Sequence, residues 1–257
     1  MKNKSKQELK RALKAKLPPS IVRCISTFRA NWAYRYVIGK TAEDAFGSHY
    51  SRGSWGGRES ASGAGSDFAA TRSVREMLPR LLQELGVKII LDAPCGDFFW
   101  MQQVPLDGIQ YIGADIVKSV IQRNIELHEK KPLRRFIHAD ITCADLPNSD
   151  LVLCRDCFIH LSFQDIALAI ENFQKSGAKY LLTTTYPLQK INWDIHTGAC
   201  RPITLTEEPF ALPPPIMLMD EDLPSGAPDG ELSLTRSLGL WRLEDLPESK
   251  FLSSLVR

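Results

Sequence analysis

The central part of the chain alternates short apolar runs with stretches whose apolar residues recur at helical spacing. VKIILDA, from Val87 to Ala93, is the kind of apolar run found in strands that are buried on both faces of a parallel sheet. YIGADI, RRFIHADI, SDLVLCRD and AKYLLTTTY repeat the pattern, and the spacers after the first, second and fourth runs are long enough for crossover helices. We therefore expect an open α/β sheet, with a late antiparallel pair formed from MLMDED and LTRSLGLWRLEDL.

Helical periodicity also precedes the first predicted strand. A helix is predicted from Ile21, and its stripe of apolar residues is expected to lie against the body of the protein; the stripe consists of Cys24, Ile25, Phe28, Trp32 and Tyr36. A later helix is predicted from Phe68 to Leu85, with Pro79 kinking it or starting its second half and Gly86 as its stop. We expect residues 1–50 to be an N-terminal helical extension and residues 51–257 to be the main domain.

The N-terminal segment carries most of the excess positive charge. Leu9, Leu13 and Leu17 recur at four-residue spacing among lysines and predict a short basic amphipathic helix. Residues 1–16 hold seven basic side chains and one acidic side chain, whereas the whole chain has a net charge of only +2. Residues 1–17 are therefore either a solvated terminus or a weak contact for an anionic membrane surface. The rest of the chain is mildly acidic, which argues against a broad nucleic-acid surface.

Composition places the chain among cytoplasmic globular proteins. Its 257 residues, 44% of them hydrophobic, are enough for a sizeable core. The six cysteines show no small-domain disulfide spacing, and the basic start is followed by LPPS instead of an apolar signal core. No apolar run approaches the roughly 20 residues that span a bilayer.

Acidic residues end three successive predicted strands. Asp92 closes the first strand, and Gly96 follows it in a turn that permits close backbone approach. Asp115 lies at the end of the second strand, where a carboxylate can bind a ribose diol, and Asp140 ends the third. Because the carboxyl ends of parallel strands meet at one edge of a sheet, we expect these groups to share a ligand site.

The series of motifs resembles the class I S-adenosylmethionine-dependent methyltransferases over about residues 65 to 250. LDAPCGD stands where that family has its glycine-rich first motif, and CRDCFIHL stands at the acceptor side. The resemblance implies S-adenosylmethionine as cofactor and a Rossmann-like seven-stranded, mostly parallel sheet with helices on both faces and a late antiparallel hairpin. One departure is that Ala93 and Pro94 replace two family glycines, so that Gly96 alone is left. Asp97 is then expected to offer its carboxylate to the amino group of the cofactor.

The candidate site residues follow from these motifs. The predicted cofactor-binding residues are Ser62, Asp92, Gly96, Asp97, Asp115, Ile116, Asp140, Ile141 and Arg155. If a helix begins after the fourth strand, Asp156 and His160 share one face, so that Asp156 orients an imidazole that acts as base. A structural role for His160 stays open. Cys154 and Cys157 have no second pair of Cys or His at matching spacing, so we expect no metal.

Two further segments bear on the acceptor. WGGRESASGAGSDFAAT, from Trp55 to Thr71, has the composition of either a flexible linker or a loop that closes on a ligand; we expect residues 55–66 to form a lid, with Arg58 near an acidic group. Residues 187–231 are expected to form an acceptor-side insertion. The ESxSGxGS and NxDIxxGxxRPI patterns in these two segments resemble those of a bacterial subset of methyltransferases, many of them near polysaccharide modification.

The implied function is methyl transfer to a small polar or glycan acceptor, with a sugar hydroxyl as one option. The alternatives are a module that binds S-adenosylmethionine without catalysis, and a methyltransferase that acts on protein or nucleic acid. The sequence does not indicate an oligomeric state.

Overall fold

The computed structural model of the chain describes residues 17–221 and 236–247. The helices in these ranges are α1 (Pro19–Ala33), α2 (Ala42–Arg52), α3 (Arg72–Glu84), α4 (Lys118–His128) and α5 (Phe163–Lys175). The strands are β1 (Ile89–Asp92), β2 (Gln110–Asp115), β3 (Arg134–His138), β4 (Leu151–Cys154), β5 (Tyr180–Thr185), β6 (Met217–Asp220) and β7 (Ser237–Arg242).

These strands form one mixed sheet in the order β3-β2-β1-β4-β5-β7-β6. The first five strands are parallel, and β7 pairs antiparallel with both β5 and β6. The strand order reverses between β1 and β4, so the ends of these two strands diverge into a crevice where α/β proteins bind ligands. The predicted seven-stranded, mostly parallel sheet with a late antiparallel hairpin is confirmed.

Helices cover both faces of the sheet, and α3, α4 and α5 each present apolar side chains to it. On one face, α5 buries Ile166, Ile170 and Phe173 against the apolar side chains of β4 and β5. On the other face, α3 buries Leu78 and Leu82 in a second core that also receives side chains from α4. The two cores hold the strands rigidly, and the loops at the carboxyl ends of the strands are built on that scaffold.

The connection from β1 to β2 differs from the prediction of a crossover α-helix. Residues 93–109 contain only a short 3-10 helix, Met101–Gln103. Phe98 adopts a left-handed φ of 58°, and a left-handed residue interrupts a right-handed helix. Farther upstream, α3 runs through Pro79 as one helix, so Pro79 does not start a second one. Gly86 has a φ of 65° just after α3, as expected of a C-terminal stop.

The apolar stripe of α1 faces away from the body, which corrects the prediction that it packs inward. Val22 and Ser26, on the opposite side of α1, are buried instead. That side is held because Thr27 Oγ1 donates to the Asp194 carbonyl at 2.9 Å and Asn31 Oδ1 accepts from His196 N at 2.9 Å. Tyr36 lies beyond α1, in a 3-10 turn.

One sequence prediction falls mostly outside the described residues, and one predicted boundary falls inside a helix. The amphipathic helix predicted from Leu9, Leu13 and Leu17 falls mostly outside them. The proposed boundary between residues 50 and 51 lies inside α2, whose C-terminal part contributes to the cavity described below. No helix in the described ranges is long and apolar enough to cross a membrane.

Candidate active site

A cavity of about 1010 Å³ opens at the carboxyl ends of β1, β2 and β4. All eleven residues predicted from the sequence to bind the cofactor or to act in catalysis line it; they are Ser62, Asp92, Gly96, Asp97, Asp115, Ile116, Asp140, Ile141, Arg155, Asp156 and His160. These residues therefore share one cavity, and their individual roles stay predictions.

Two buried carboxylates form the floor of the cavity. Asp92 accepts a hydrogen bond of 2.6 Å from the Tyr111 hydroxyl, and burial raises its pKa to about 7. Asp115 accepts hydrogen bonds from Gly96 N at 3.1 Å and Val117 N at 2.8 Å, and burial raises its pKa to about 6. A carboxylate has about four acceptor positions, so the two backbone donors leave Asp115 able to accept from a ligand.

The next strand end supplies a third carboxylate and apolar neighbours. Asp140 Oδ1 accepts hydrogen bonds from the Thr142 backbone at 2.8 Å and from its hydroxyl at 2.7 Å, which fixes the turn after β3. Ile141 is buried and Ile116 is half-buried, and both border the cavity between Asp115 and Asp140. This wall combines acceptor oxygens with flat apolar surface.

The segment of residues 55–66 also lines the cavity and is bound to the first motif. Ser60 Oγ donates to Asp97 Oδ1 at 2.9 Å, and Ala61 N donates to Asp97 Oδ2 at 2.6 Å. Behind it, the carboxylate of Asp67 accepts hydrogen bonds from the backbone N–H groups of residues 58–60. The Asp97 carboxylate therefore holds this segment in place, a use that the sequence did not predict.

Gly96 lets that segment approach closely. Gly96 has a left-handed φ of 55°, and a Cβ added to it would lie 2.2 Å from Ser62 Oγ and 3.3 Å from Tyr50 Oη. Ser62 Oγ accepts from Asp97 N at 2.9 Å and bonds to the Tyr50 hydroxyl at 2.9 Å. Gly65 permits a second close approach, between this segment and the end of β4, because a Cβ added to it would lie 2.9 Å from Asp156 Oδ2.

An ion-pair network surrounds the end of β4. Arg155 donates from Nε to Glu221 Oε1 at 2.7 Å and from Nη2 to the Gly65 carbonyl at 2.9 Å. Arg236 pairs through Nη1 with Asp156 Oδ2 at 2.9 Å. Burial would raise the pKa of Asp156, but the two arginines outweigh it and the net shift is downward. Arg155 thus ties β4 to the wall formed by residues 55–66.

His160 is oriented by a backbone carbonyl, which corrects the prediction that Asp156 orients it. No α-helix begins at Asp156, which has a left-handed φ of 51°; His160 instead ends a 3-10 helix and its Nδ1 donates to the Ala199 carbonyl at 2.9 Å. Burial lowers the pKa of His160 to about 4, so the ring is neutral at pH 7. With the proton on Nδ1, Nε2 carries the free lone pair.

Residues 187–221, the described part of the predicted acceptor-side insertion, form a scaffold that is anchored by buried side chains such as Arg201. The Arg201 guanidinium donates to the carbonyls of Trp193, Phe158 and Leu161 at 2.8–2.9 Å. Gly198 N donates to the His160 carbonyl at 2.8 Å. The Arg and Gly of the NxDIxxGxxRPI pattern therefore position the segment that carries His160, and Thr197 and Cys200 reach the cavity from this scaffold.

Sequence reasoning missed several residues of the site. His49 is fully buried, donates from Nε2 to the Gly198 carbonyl at 2.7 Å and stacks on Trp55 with ring centroids 4.6 Å apart. Tyr50, Glu221 and Arg236 were also missed. The spacing of Phe46, His49 and Tyr50 in AFGSHY was a weak sign that α2 contributes to the site. No local pattern links Arg236 to Asp156, which lies 80 positions away.

The described residues hold no group of three His, Cys, Asp or Glu side chains arranged for a metal ion. Cys154 and Cys157 are both buried, and burial raises the pKa of the Cys154 thiol well above its usual value. A buried thiol that stays protonated is a poor metal ligand, because the thiolate is the ligating form.

Neither a protein-family model nor a curated protein matches the sequence. The chain is similar in structure to the magnesium protoporphyrin IX methyltransferase of Synechocystis PCC 6803, at 11% identity and a TM-score of 0.51, covering 80% of this chain and 99% of the other. It is also similar to the 1,6-didemethyltoxoflavin-N1-methyltransferase of Burkholderia thailandensis, at 15% identity and a TM-score of 0.52, covering 77% of this chain and 87% of the other.

A third similar structure is a methyltransferase of Leishmania major that depends on S-adenosylmethionine. It has 13% identity and a TM-score of 0.52, and the match covers 67% of this chain and 72% of the other. The acceptors named for the first two structures are unrelated molecules, so the likeness lies in the scaffold. The chain therefore has the fold of the class I S-adenosylmethionine-dependent methyltransferases.

Proposed function

We propose that the chain is an S-adenosylmethionine-dependent methyltransferase that acts on a small polar or glycan acceptor. The observation that carries the proposal is the shared cavity, which is lined by three strand-end acidic residues and by a neutral histidine whose Nδ1 is bonded to a backbone carbonyl. The fold supports it, and the similar structures from Synechocystis and Burkholderia thailandensis were solved with bound S-adenosylmethionine and S-adenosylhomocysteine, respectively.

The donors and acceptors of the cavity match the cofactor. Asp115 accepts the ribose hydroxyls with the lone pairs that Gly96 N and Val117 N leave free, and Asp140 and Ile141 face the adenine. Asp92 lies at the end of β1, where a carboxylate favours the positive charge of the sulfonium and the amino group. Asp97 contributes by holding Ser60, Ala61 and Ser62 against the first motif.

His160 is proposed to accept the proton of the acceptor. S-adenosylmethionine, when bound, supplies a sulfonium methyl group for in-line transfer. The part of His160 would be to take up, on Nε2, the proton that the acceptor hydroxyl loses when its oxygen receives the methyl group. The Ala199 carbonyl keeps the other ring proton on Nδ1, so Nε2 stays available at neutral pH. The proton then passes to solvent.

The acceptor side of the cavity favours a polar ligand of moderate size. Lys40, Arg58 and Asp165 line it together with the rings of Phe46 and Trp55. Charged side chains bind hydroxyls, while aromatic rings contact the C–H faces of a sugar ring. The cavity volume lies at the upper end of the range for ligand pockets, about 300–1,000 Å³, so it has room for a cofactor and an acceptor together.

The proposal is tested with a donor labelled in the methyl group, offered with nucleotide sugars and glycan extracts. Label should enter a small or glycan product, and His160→Asn should lower kcat by about 100-fold or more while S-adenosylmethionine binds unchanged. His128→Asn is the matched control, because His128 lies at the end of α4 and does not line the cavity.

Other results would favour the alternative functions. Cofactor binding without transfer to any offered acceptor would favour a non-catalytic binding module. Label that enters only protein or nucleic acid would contradict the acceptor class. An unchanged kcat in His160→Asn would remove His160 from the proposed role and leave it as a structural residue.

A further inference from the structure

The outward face of α1 is a continuous apolar stripe. Ile21, Cys24, Ile25, Phe28 and Trp32 share one side of α1, each three or four residues from another member, and Leu17 extends the set just before the helix; all six are exposed. Phe28 is 66% exposed and Trp32 is 62% exposed, and their rings stack with centroids 6.1 Å apart. A helix buried on one side and apolar on the other exposes surface that water solvates poorly, which marks a site of contact with something else.

The helix is fixed to the body, so the stripe is presented on a rigid support. Val22 and Ser26 are buried beneath α1. Thr27 and Asn31 bond to the backbone of residues 194 and 196 in the scaffold described above. The stripe therefore cannot reach the core by a rotation of α1 without losing these contacts.

Charge identifies the class of partner. Residues 1–40 contain eleven Lys and Arg side chains and a single acidic side chain, Glu8, whereas the other 217 residues contain 21 basic and 29 acidic side chains. Within α1, Arg23 and Arg29 are exposed and no acidic residue is present. An apolar stripe of aromatic and aliphatic residues flanked by arginines is the pattern of a helix that lies in the interface of an anionic bilayer.

Two other occupants fit the charge less well. A second copy of the chain would bring an equally basic segment to the stripe, and like charges repel. A nucleic acid would be attracted by the arginines, but Leu17, Ile21 and Ile25 give no hydrogen bonds to phosphates or bases. We propose that α1 docks the protein on an anionic phospholipid surface, with its apolar stripe among the headgroups and the upper acyl chains.

Docking in this way would bring the cavity close to the bilayer. Tyr34 follows α1 directly, and both Tyr34 and Lys40 line the cavity. The inference does not depend on the proposed methyl transfer, since it rests on the exposed stripe and the charge of residues 1–40.

The test is sedimentation of the full chain with vesicles of phosphatidylcholine alone or of phosphatidylcholine and phosphatidylglycerol in equal parts. We expect binding to the anionic vesicles, weakening as sodium chloride is raised, and little binding to the neutral ones. Phe28→Ser combined with Trp32→Ser should lower the partition constant by at least about tenfold, whereas Phe28→Leu combined with Trp32→Leu should retain most of the binding. The control is Leu127→Ser combined with Leu218→Ser, two exposed apolar residues on other elements.

Several results would overturn the inference. One is equal binding to neutral and anionic vesicles, and another is no binding to either. A third is binding that the Phe28→Ser and Trp32→Ser changes leave intact. Two further results would assign the stripe to another partner: tighter binding to a single-stranded oligonucleotide that these changes abolish, or a stable dimer that they dissociate. Thermal unfolding of each variant checks that the fold is retained.

Discussion

Replacing Gly96 by alanine tests whether residues 55–66 close on the first motif. The new Cβ would lie 2.2 Å from Ser62 Oγ, which is far inside van der Waals contact, so Ser62 must rotate or retreat. Either movement breaks the hydrogen bonds of Ser62 to Asp97 N, to the Asp97 carboxylate and to the Tyr50 hydroxyl. A net hydrogen bond contributes about 1 kcal/mol, so these losses sum to about 3 kcal/mol.

Gly108→Ala separates the steric effect from backbone strain. Gly108 has a φ of 72° and no atom within 4 Å of its ideal Cβ, so alanine there carries only the left-handed strain of about 1 to 2 kcal/mol. We expect Gly96→Ala to lower the free energy of unfolding by about 2 to 3 kcal/mol more than Gly108→Ala does, measured by urea denaturation. In a Ser62→Ala background the excess should shrink, because the hydrogen bonds are already lost. Equal losses for the two glycine variants would refute the contact between Ser62 and Gly96.

The other predictions concern the protonation of His160 and the scaffold that Arg201 anchors. Burial lowers the pKa of His160 to about 4, from the ordinary histidine pKa of 6.5 that applies in the unfolded state. Between these two values the unfolded state binds more protons than the folded state. His160 therefore lowers the free energy of unfolding by about 3 kcal/mol as the pH falls from 6.5 to 4. The raised pKa values of Asp92 and Asp115 have the opposite effect on stability as the pH falls. The contribution of His160 is therefore isolated by the difference in free energy of unfolding between His160→Asn and the parent, measured at several pH values. A difference that does not change with pH would contradict the low pKa of His160. Arg201→Met should lower the free energy of unfolding by about 3 kcal/mol or more, since it removes three hydrogen bonds to backbone carbonyls. Arg242→Met, at an exposed position, should cost under about 0.5 kcal/mol. Similar losses in the two variants would show that the scaffold does not depend on Arg201.

The sheet and the strand-end carboxylates were predictable because their signals are local. A strand buried on both faces is apolar throughout, and an acidic residue at its end marks where it meets solvent or ligand, as Asp92 and Asp115 do. The parallel arrangement then brings such ends to one edge without any knowledge of side-chain contacts. For this reason Asp92, Asp115 and Asp140 line one cavity, whereas Ser62 reaches the same cavity from the segment of residues 55–66.

Pairings across long separations were not predictable. Asp156 is held by Arg236, and Arg155 by Glu221, over 80 and 66 positions. His160 is oriented by the Ala199 carbonyl, which every residue possesses, so no side-chain pattern could reveal it. The prediction that Asp156 orients His160 assumed that both residues lie in one α-helix. Asp156 has a left-handed backbone conformation, so no α-helix begins there and the two side chains do not share a helix face.

The orientation of α1 shows a different limit of sequence patterns. Periodicity identifies the apolar face of a helix but does not say whether that face is covered by the protein. In α1, the hydrogen bonds of Thr27 and Asn31 fix the polar side inward, and the apolar stripe is left exposed. Whether the apolar stripe of a helix is exposed can be decided only when the positions of the neighbouring elements are known.

Titration calorimetry of the chain with S-adenosylmethionine tests the central claim most directly. The account predicts one site per chain, and Asp115→Ala should weaken it by about 1.5 to 3 kcal/mol, or about 10- to 150-fold in Kd, because the ribose hydroxyls lose a charged acceptor. Asp107→Ala, an exposed change outside the cavity, should bind like the parent. No heat of binding at millimolar ligand, or equal affinity in the Asp115 variant and the parent, would contradict the account.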